Sequence, residues 1–219
     1  MVNLLSLFLK LGEEMIGDRI LITDKSRKNA KEIVSLVKDN YIVLIYGNSG
    51  SQKTETSECL QEELFKNKKQ SIVISLDDFY LTHPMIRNYN RKKLGLESVG
   101  LSEIDFEDLK RVCEDFKNKK PIRIKRTHKY ADLVEHLSLE TEDINALIIE
   151  GLYSGYLKKF GFGDLAIYLD GNPQQTLEFR KLRGKENEDD EFRTQVVRRE
   201  YNTVCQLKKY ADLIILYEN

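Results

Sequence analysis

The chain has few of the residues that build disulfide or metal sites. Its 219 residues include three cysteines and three histidines. Cys59, Cys113 and Cys205 are far apart in the sequence, and neither they nor the histidines have the spacing of metal ligands. We therefore expect thiols packed in the core of a protein from a reducing compartment, and we expect no zinc site.

The sequence also lacks a long apolar run and an excess of charge. No segment reaches the ~18 apolar residues of a membrane span, and the net charge is −1. The apolar stretch from Leu4 to Leu9 is short, has no basic region before it and continues into Lys10 and Glu13. We expect a helix over about residues 3–16 rather than a signal peptide, and a cytoplasmic protein that uses neither nucleic acid nor membrane as a partner.

The most informative segment is an apolar run followed by a loop of small residues. Residues 41–46 read as a strand, and a helical pattern begins at Lys53. The loop between them follows the phosphate-binding pattern G-x-x-x-x-G-K-[ST], in which backbone N–H groups and a helix N-terminus hold phosphates. In that pattern Lys53 reaches the β- and γ-phosphates and the Thr54 hydroxyl binds Mg²⁺. The predicted nucleotide-binding residues of the loop are Gly47, Asn48, Ser49, Gly50, Ser51, Gln52, Lys53 and Thr54.

One residue departs from the pattern, because Gln52 stands where the second glycine is expected. Its long side chain is expected beside the phosphates. If the position needs a positive φ, Gln52 stores strain of about 1–3 kcal/mol; otherwise the cost is mainly crowding. The alternative for the whole segment is a strand-to-helix turn that merely needs small residues.

The rest of the chain alternates between apolar strands and helical segments. This alternation predicts a parallel sheet buried on both faces. The predicted strands are 41–46, 71–76, 146–149, 165–169 and 212–217. The predicted helices are 28–38 with Asp24 or Ser26 as cap, 53–65, a short one near 87–93, 105–116, one opening at Pro173, and 188–209.

Three further motifs lie where such a sheet places chemistry, at the carboxyl ends of its strands. Asp77 and Asp78 follow the second strand, and Glu150 ends the third. Carboxylates here suit a general base and a Mg²⁺ shell. Arg180 and Arg183 belong to a basic helix that could close over phosphates. Taken singly, each motif also fits a helix cap, a turn carboxylate or a solvated basic face; their order after the phosphate loop favours the functional interpretation.

With these motifs in this order, residues 41–217 resemble the uridine kinase/phosphoribulokinase group. The strand ends in Asp77-Asp78-Phe79-Tyr80, a later one ends in Glu150-Gly151, and a final strand begins Ala211-Asp212. Residues 96–105 and 182–201 are most similar to an uncharacterised uridine-kinase-like branch. The resemblance implies a three-layer P-loop NTPase fold with about five parallel strands and a helical lid.

The resemblance also implies roles for the candidate residues. Asp77 matches the catalytic base, with Lys53 and Arg183 assisting catalysis. Thr54, Asp77 and Glu150 match the Mg²⁺ shell, and Arg180 and Arg183 match lid cations on the nucleotide. Asp78 is a weaker candidate, because relatives often have Ser there.

The implied function is an ATP-dependent, Mg²⁺-dependent kinase for a hydroxyl of a small molecule. We expect a kinase domain at residues 41–219 and a helical extension at 1–40. The extension could pack on that domain or on a second subunit in a homodimer. Because Gln52 alters the loop, the main alternative is a catalytically impaired nucleotide-binding or regulatory protein. A nucleotide hydrolase that acts on a protein partner is a third.

The acceptor is not identified by the sequence. Uridine kinases carry a Tyr-Asp pair before Thr-His, and residues 124–130 contain Thr127-His128 without that pair, so uridine is not expected. The predicted acceptor-side residues are Asp78, Tyr80, Arg87 and Arg91. The two arginines suggest an anionic acceptor such as a sugar phosphate or a carboxylate; a charged mobile loop is the alternative.

Overall fold

The computed structural model describes residues 19–184 and 191–217. The helix predicted over residues 3–16 lies outside these ranges, as do Lys185 and Glu186 of the basic segment. Within the described ranges, no helix combines the length and the apolar character that a membrane crossing requires.

A five-stranded sheet organises the molecule, with all its neighbouring strands parallel. Its members are β1 (Tyr41–Gly47), β2 (Ser71–Ser75), β5 (Ala146–Glu150), β6 (Leu165–Leu169) and β7 (Leu213–Ile215). They lie in the order β2-β5-β1-β6-β7. The five predicted strands are therefore confirmed, with small differences at their ends.

Helices cover both faces of the sheet. Along β1, Val43 and Ile45 pack beneath α1 (Asp24–Val34) and α2 (Lys53–Lys66), while Ile42, Leu44 and Tyr46 face the opposite layer. That layer contains α4 (Phe106–Lys117) and α6 (Glu191–Leu207). Successive side chains of a strand point to opposite faces, so a continuous apolar run produces the three-layer fold that the sequence predicts.

Helix α1 begins earlier than predicted, at Asp24 rather than Lys28. Its cap is Thr23, whose hydroxyl accepts a hydrogen bond from the Ser26 N–H at 3.1 Å. Ser26 Oγ in turn accepts from the Thr23 N–H at 2.9 Å. This reciprocal capping box satisfies donors of the first turn and fixes the start of the helix.

The segment between β2 and α4 is more regular than predicted. It contains a short 3₁₀ turn (Leu76–Phe79) and α3 (Pro84–Leu94). His83 caps α3, since its Nδ1 accepts from the Met85 N–H at 3.3 Å, and Pro84 occupies the first turn. Proline suits that position because its missing N–H would lack a helical partner anyway.

A two-stranded antiparallel hairpin was not predicted. It consists of β3 (Ile122–Thr127) and β4 (Val134–Leu139). Ile122 and Ile124 are buried against the core beneath α4. Their alternation with Arg123 and Lys125 is the period-two signal of a half-buried strand.

The carboxyl-terminal part differs from prediction in one respect. Pro173 lies in a turn, and the following helix, α5, spans only Leu177–Leu182. The next helix, α6, is described from Glu191 to Leu207. The turn at Pro173 brings α5 against the loop that follows β1, where Arg180 contacts it.

The three cysteines are free thiols, as expected, and Cys59 and Cys113 are buried. Burial raises the pKa of the Cys113 thiol to about 12. A thiol with so high a pKa is protonated at neutral pH and packs as a small apolar group.

Candidate active site

Parallel pairing brings three strand ends together at one edge of the sheet. Glu150, the last residue of β5, lies in register with Ile45 of β1 on one side and with Ser75 of β2 on the other. The loop after β1 and the turn after β2 therefore flank Glu150. This is the edge at which open parallel sheets bind ligands.

A small cavity of about 50 Å³ lies at this edge. Side chains from the phosphate loop, the β2 turn, β5 and α5 converge on it. The residues that line it are Ser49, Gly50, Lys53, Asp77, Glu150, Gly151, Leu152 and Arg183. Four residues predicted to act in catalysis or metal binding, Lys53, Asp77, Glu150 and Arg183, thus meet on one cavity.

The phosphate loop has a compact form that its small residues permit. A Cβ on Gly50, which has a φ of 79°, would lie 2.7 Å from Arg180 Cγ and 2.9 Å from Thr176 O. Lys53 Nζ donates to the carbonyl of Asn48 at 3.0 Å, so its ammonium lies over the loop. The side chains of Asn48 and Ser51 are buried, and the Ser51 N–H donates to Asn48 O at 3.1 Å within the loop.

Gln52 has the left-handed conformation that the glycine of the pattern would supply, with φ 66° and ψ 37°. Its side chain does not turn towards the cavity, as crowding of the phosphates would require. Instead, Gln52 Oε1 accepts a hydrogen bond from Thr23 Oγ1 at 2.6 Å. The expected strain is therefore present, whereas the expected crowding is not.

The two aspartates after β2 have different environments. Asp77 is partly exposed and lines the cavity. Asp78 is buried and lies 3.0 Å from Arg126 Nε, and its Oδ1 accepts from the Thr127 N–H at 2.7 Å. Burial raises the pKa of Asp78 to about 7, although Arg126 and the Thr127 N–H act to lower it. Asp78 joins the β2 turn to the hairpin, which differs from its predicted place on the acceptor.

The two lid arginines are held in different ways. Arg180 Nη1 donates to Pro173 O at 3.0 Å and to Thr176 Oγ1, and Arg180 is not among the cavity-lining residues. Arg183 does line the cavity, and its Nε lies 3.6 Å from Glu55 Oε1. Arg183 is thus the one of the two arginines that reaches the cavity, whereas Arg180 packs on the phosphate loop.

On the predicted acceptor side, Tyr80 and Arg87 contact each other. The guanidinium carbon of Arg87 lies 3.5 Å from the centre of the buried Tyr80 ring. Arg87 Nε donates to Thr82 O at 3.3 Å. Its Nη2 is shielded from solvent and has no hydrogen-bond partner among the described residues.

Arg91 does not match the prediction of an acceptor-side cation. It is buried, with Nε and Nη2 donating to the two carboxylate oxygens of Glu103 at 2.7 and 2.8 Å. Its Nη1 lies 3.1 Å from Glu200 Oε1 on α6. Two carboxylates surround its charge, so Arg91 joins α3 to α6 and is a poor receptor for an anionic substrate.

The oxygen donors at the cavity fit a Mg²⁺ ion only together with a nucleotide. Asp77 and Glu150 supply carboxylates to the cavity. Thr54, in the first turn of α2 beside Lys53, has a hydroxyl but is fully buried and does not line the cavity. Among the described residues, no group of three or more His, Cys, Asp or Glu could hold a metal alone. Magnesium typically takes one or two carboxylates with substrate phosphates and water, and this donor set meets that need.

The model of the Phosphoribulokinase / Uridine kinase family matches residues 42–216. The chain belongs to this family. The matched region begins after α1.

Individual relatives are more distant. The chain is 28% identical over 191 residues to a bifunctional alpha-galactosidase/sucrose kinase of Mediterraneibacter gnavus; the match covers 81% of this chain and 20% of that protein. The chain thus spans about a fifth of that relative's length.

Solved structures share the kinase fold. A candidate fructose transport system kinase from Silicibacter sp. TM1040 has a TM-score of 0.62 at 19% identity, over 87% of this chain and 98% of that one. Phosphoribulokinase from Rhodobacter spheroides has a TM-score of 0.59 at 14% identity, over 81% and 70% of the two chains.

Two features of this kinase-family site were not predicted. Glu55 is fully buried beside Arg183, and Gly151 and Leu152 form part of the cavity wall. Glu55 directly follows Lys53-Thr54, so its position in the first turn was visible, but its partner is 128 residues away in the chain. Sequence spacing does not reveal such a pairing.

The buried pairing of Arg91 yields a prediction about stability. Arg91→Met should lower the free energy of unfolding by about 3–5 kcal/mol, because it leaves Glu103 and Glu200 buried without their cation. Arg111→Met is the matched control, since Arg111 forms a half-exposed pair with Asp108 and should cost less than about 1 kcal/mol. Urea unfolding of both variants measures the difference. Equal costs would contradict a structural role for Arg91.

Proposed function

We propose that the protein is an ATP-dependent phosphotransferase that acts on a hydroxyl of a small molecule. The observation that carries the proposal is the meeting of Lys53, Asp77, Glu150 and Arg183 on one cavity beside the phosphate loop. Cations and carboxylates in one cavity match the two needs of phosphoryl transfer, which are to offset phosphate charge and to accept the proton of the attacking hydroxyl.

The steps follow from the positions of these residues. Asp77 takes the acceptor proton as the hydroxyl oxygen bonds to the γ-phosphorus, and ADP leaves with the electrons of the broken P–O bond. Lys53 and Arg183 offset the charge that develops on the phosphate oxygens. Thr54, Asp77 and Glu150 would hold Mg²⁺, which when bound supplies further positive charge to the phosphates.

The size of the cavity suits only part of a nucleotide. At about 50 Å³, it is far smaller than the roughly 300–1,000 Å³ of typical ligand pockets. The phosphate end of a nucleotide is the part that would enter it. Closure of the segment with Arg183 over the phosphates would exclude water and limit hydrolysis.

A carbohydrate is the first acceptor class to test. The names of two relatives, a sucrose kinase and a fructose transport system kinase, both refer to sugars. The buried Nη2 of Arg87 offers a charged donor near the Asp77 turn, which suits either a sugar hydroxyl or a phosphorylated sugar. Free sugars and sugar phosphates should therefore be screened side by side.

One specific observation favours a second candidate function, a nucleotide-binding protein with impaired chemistry. Gln52 has a left-handed conformation that costs energy in any residue with a Cβ. If this strain prevents binding, the native protein should not bind nucleotide, and Gln52→Gly should restore binding.

Calorimetric titration with a non-hydrolysable ATP analogue and Mg²⁺ separates the two functions. We expect micromolar binding by the native protein, weakened at least about tenfold in Lys53→Ala because a phosphate contact is lost. Lys38→Ala, an exposed lysine beyond α1, is the control and should bind as the native protein does. Absence of binding by folded native protein, with binding by Gln52→Gly, would instead support the impaired protein.

The role of Asp77 is tested by turnover. In a coupled assay of ADP release with the sugar panel, Asp77→Asn should lower the acceptor-dependent rate by about 10²–10⁴-fold while the ATP analogue still binds, because the amide cannot take the proton. Asp39→Asn, an exposed carboxylate just before β1 at the opposite edge of the sheet, should leave the rate unchanged. An undiminished rate in Asp77→Asn would remove Asp77 from this role.

A further inference from the structure

A short segment before α1 connects the phosphate loop to the lid. We call residues 19–23 the strap. At one end, Thr23 Oγ1 donates to Gln52 Oε1 at 2.6 Å. At the other end, the carbonyl of Arg19 accepts from Arg183 Nε at 3.0 Å, and Arg19 Nη1 donates to Leu182 O at 3.5 Å.

The middle of the strap contacts the first turn of α2. The N–H of Leu21 donates to Glu55 Oε1 at 3.5 Å, and that same oxygen lies 3.6 Å from Arg183 Nε. Glu55 is fully buried. The strap, α2 and the lid therefore meet around one buried carboxylate and one cavity-lining arginine.

The strap is anchored by the helix that follows it. Thr23 is the cap of α1, and α1 packs on α2 through Ala30 and Ile33. Asn29 Nδ2 also donates to Thr56 Oγ1 at 3.3 Å. Because α1 is fixed on α2, the Thr23 hydroxyl is held at a set position relative to Gln52.

The departure from the phosphate-binding pattern has a partner within the structure. Gln52 replaces the glycine of the pattern, and its side chain pairs with Thr23, the cap of α1. A glycine could adopt φ 66° without help. Gln52 in this left-handed conformation is stabilised by the hydrogen bond from Thr23 Oγ1.

We propose that Thr23 is a positioning residue for nucleotide binding, acting through Gln52 to hold the phosphate loop in its binding form. The predicted effect of Thr23 on nucleotide affinity rests on the proposed function. The hydrogen bond stabilises the left-handed Gln52 and keeps its side chain away from the phosphates. Through Arg19, the same strap holds Arg183 at the cavity.

The test is a double-mutant cycle with an ATP analogue and Mg²⁺, read by calorimetry. Thr23→Val should weaken binding about three- to tenfold, the effect of one lost hydrogen bond. In a Gln52→Gly background the same substitution should cause no further weakening, because its partner is gone. Thr23→Ser, which keeps the hydroxyl and the helix cap, should bind the ATP analogue with the affinity of the native protein.

A second control separates the hydrogen bond from helix capping. Ser26→Ala removes half of the capping box and leaves the Thr23–Gln52 pair. It should destabilise α1 to a similar extent as Thr23→Val does, without weakening nucleotide binding. Native affinity in Thr23→Val, or an equal loss in the Gln52→Gly background, would overturn the proposal.

Amide exchange in the nucleotide-free protein tests the same coupling without any ligand. The N–H groups of Ser51 and Thr56 donate to Asn48 O and Gln52 O at 3.1 and 2.9 Å. Both should exchange several-fold faster in Thr23→Val than in Ser26→Ala. If the native protein bound no nucleotide, the proposed function would be wrong. Equal exchange rates in Thr23→Val and Ser26→Ala would overturn the positioning role of Thr23, whatever the result of the binding measurement.

Discussion

The parallel pairing of β5 between β1 and β2 is the constraint on which the site depends. It places the carboxyl ends of three strands at one edge, so that the phosphate loop, Glu150 and the turn with Asp77 are neighbours. None of these groups is close to the others in the chain. A shift of one residue in register would point Glu150 to the other face of the sheet, and the cavity would lose its central carboxylate.

The charges at this edge differ in how they are compensated. Asp78 and Arg91 have opposite charges beside them within the protein, from Arg126 and from Glu103 with Glu200. Such buried pairs are costly to break and fix the position of the elements that carry them. Lys53, Asp77 and Arg183 line the cavity, and Arg183 also lies 3.6 Å from the buried Glu55 Oε1. The first group holds the turn, the hairpin and the helices in place, and the second group lines the cavity that we propose as the phosphate site.

The parts that could be predicted from sequence are those with a local signal. The continuous apolar run of β1, the loop after it, and the carboxylates after β2 and β5 follow from strand pattern and strand ends. The ion pairs of Asp78 and Arg91, which were predicted to face the acceptor, could not be foreseen, because their charge partners lie on the hairpin and on α6, far along the chain. The hairpin itself was missed, although the alternation of Ile122 and Ile124 with charged residues indicated a strand.

Gln52 shows that replacing a motif residue affects the backbone conformation and the space for the ligand separately. The glycine of the pattern supplies two things, a backbone that tolerates positive φ and the absence of a side chain beside the phosphates. Gln52 keeps the first at a cost in strain and meets the second by directing its amide to Thr23. The sequence pattern shows only that the glycine is absent, and it does not show the contact with Thr23. Because the compensating contact comes from Thr23, the conformation of the phosphate loop depends on the strap before α1 as well as on the loop itself.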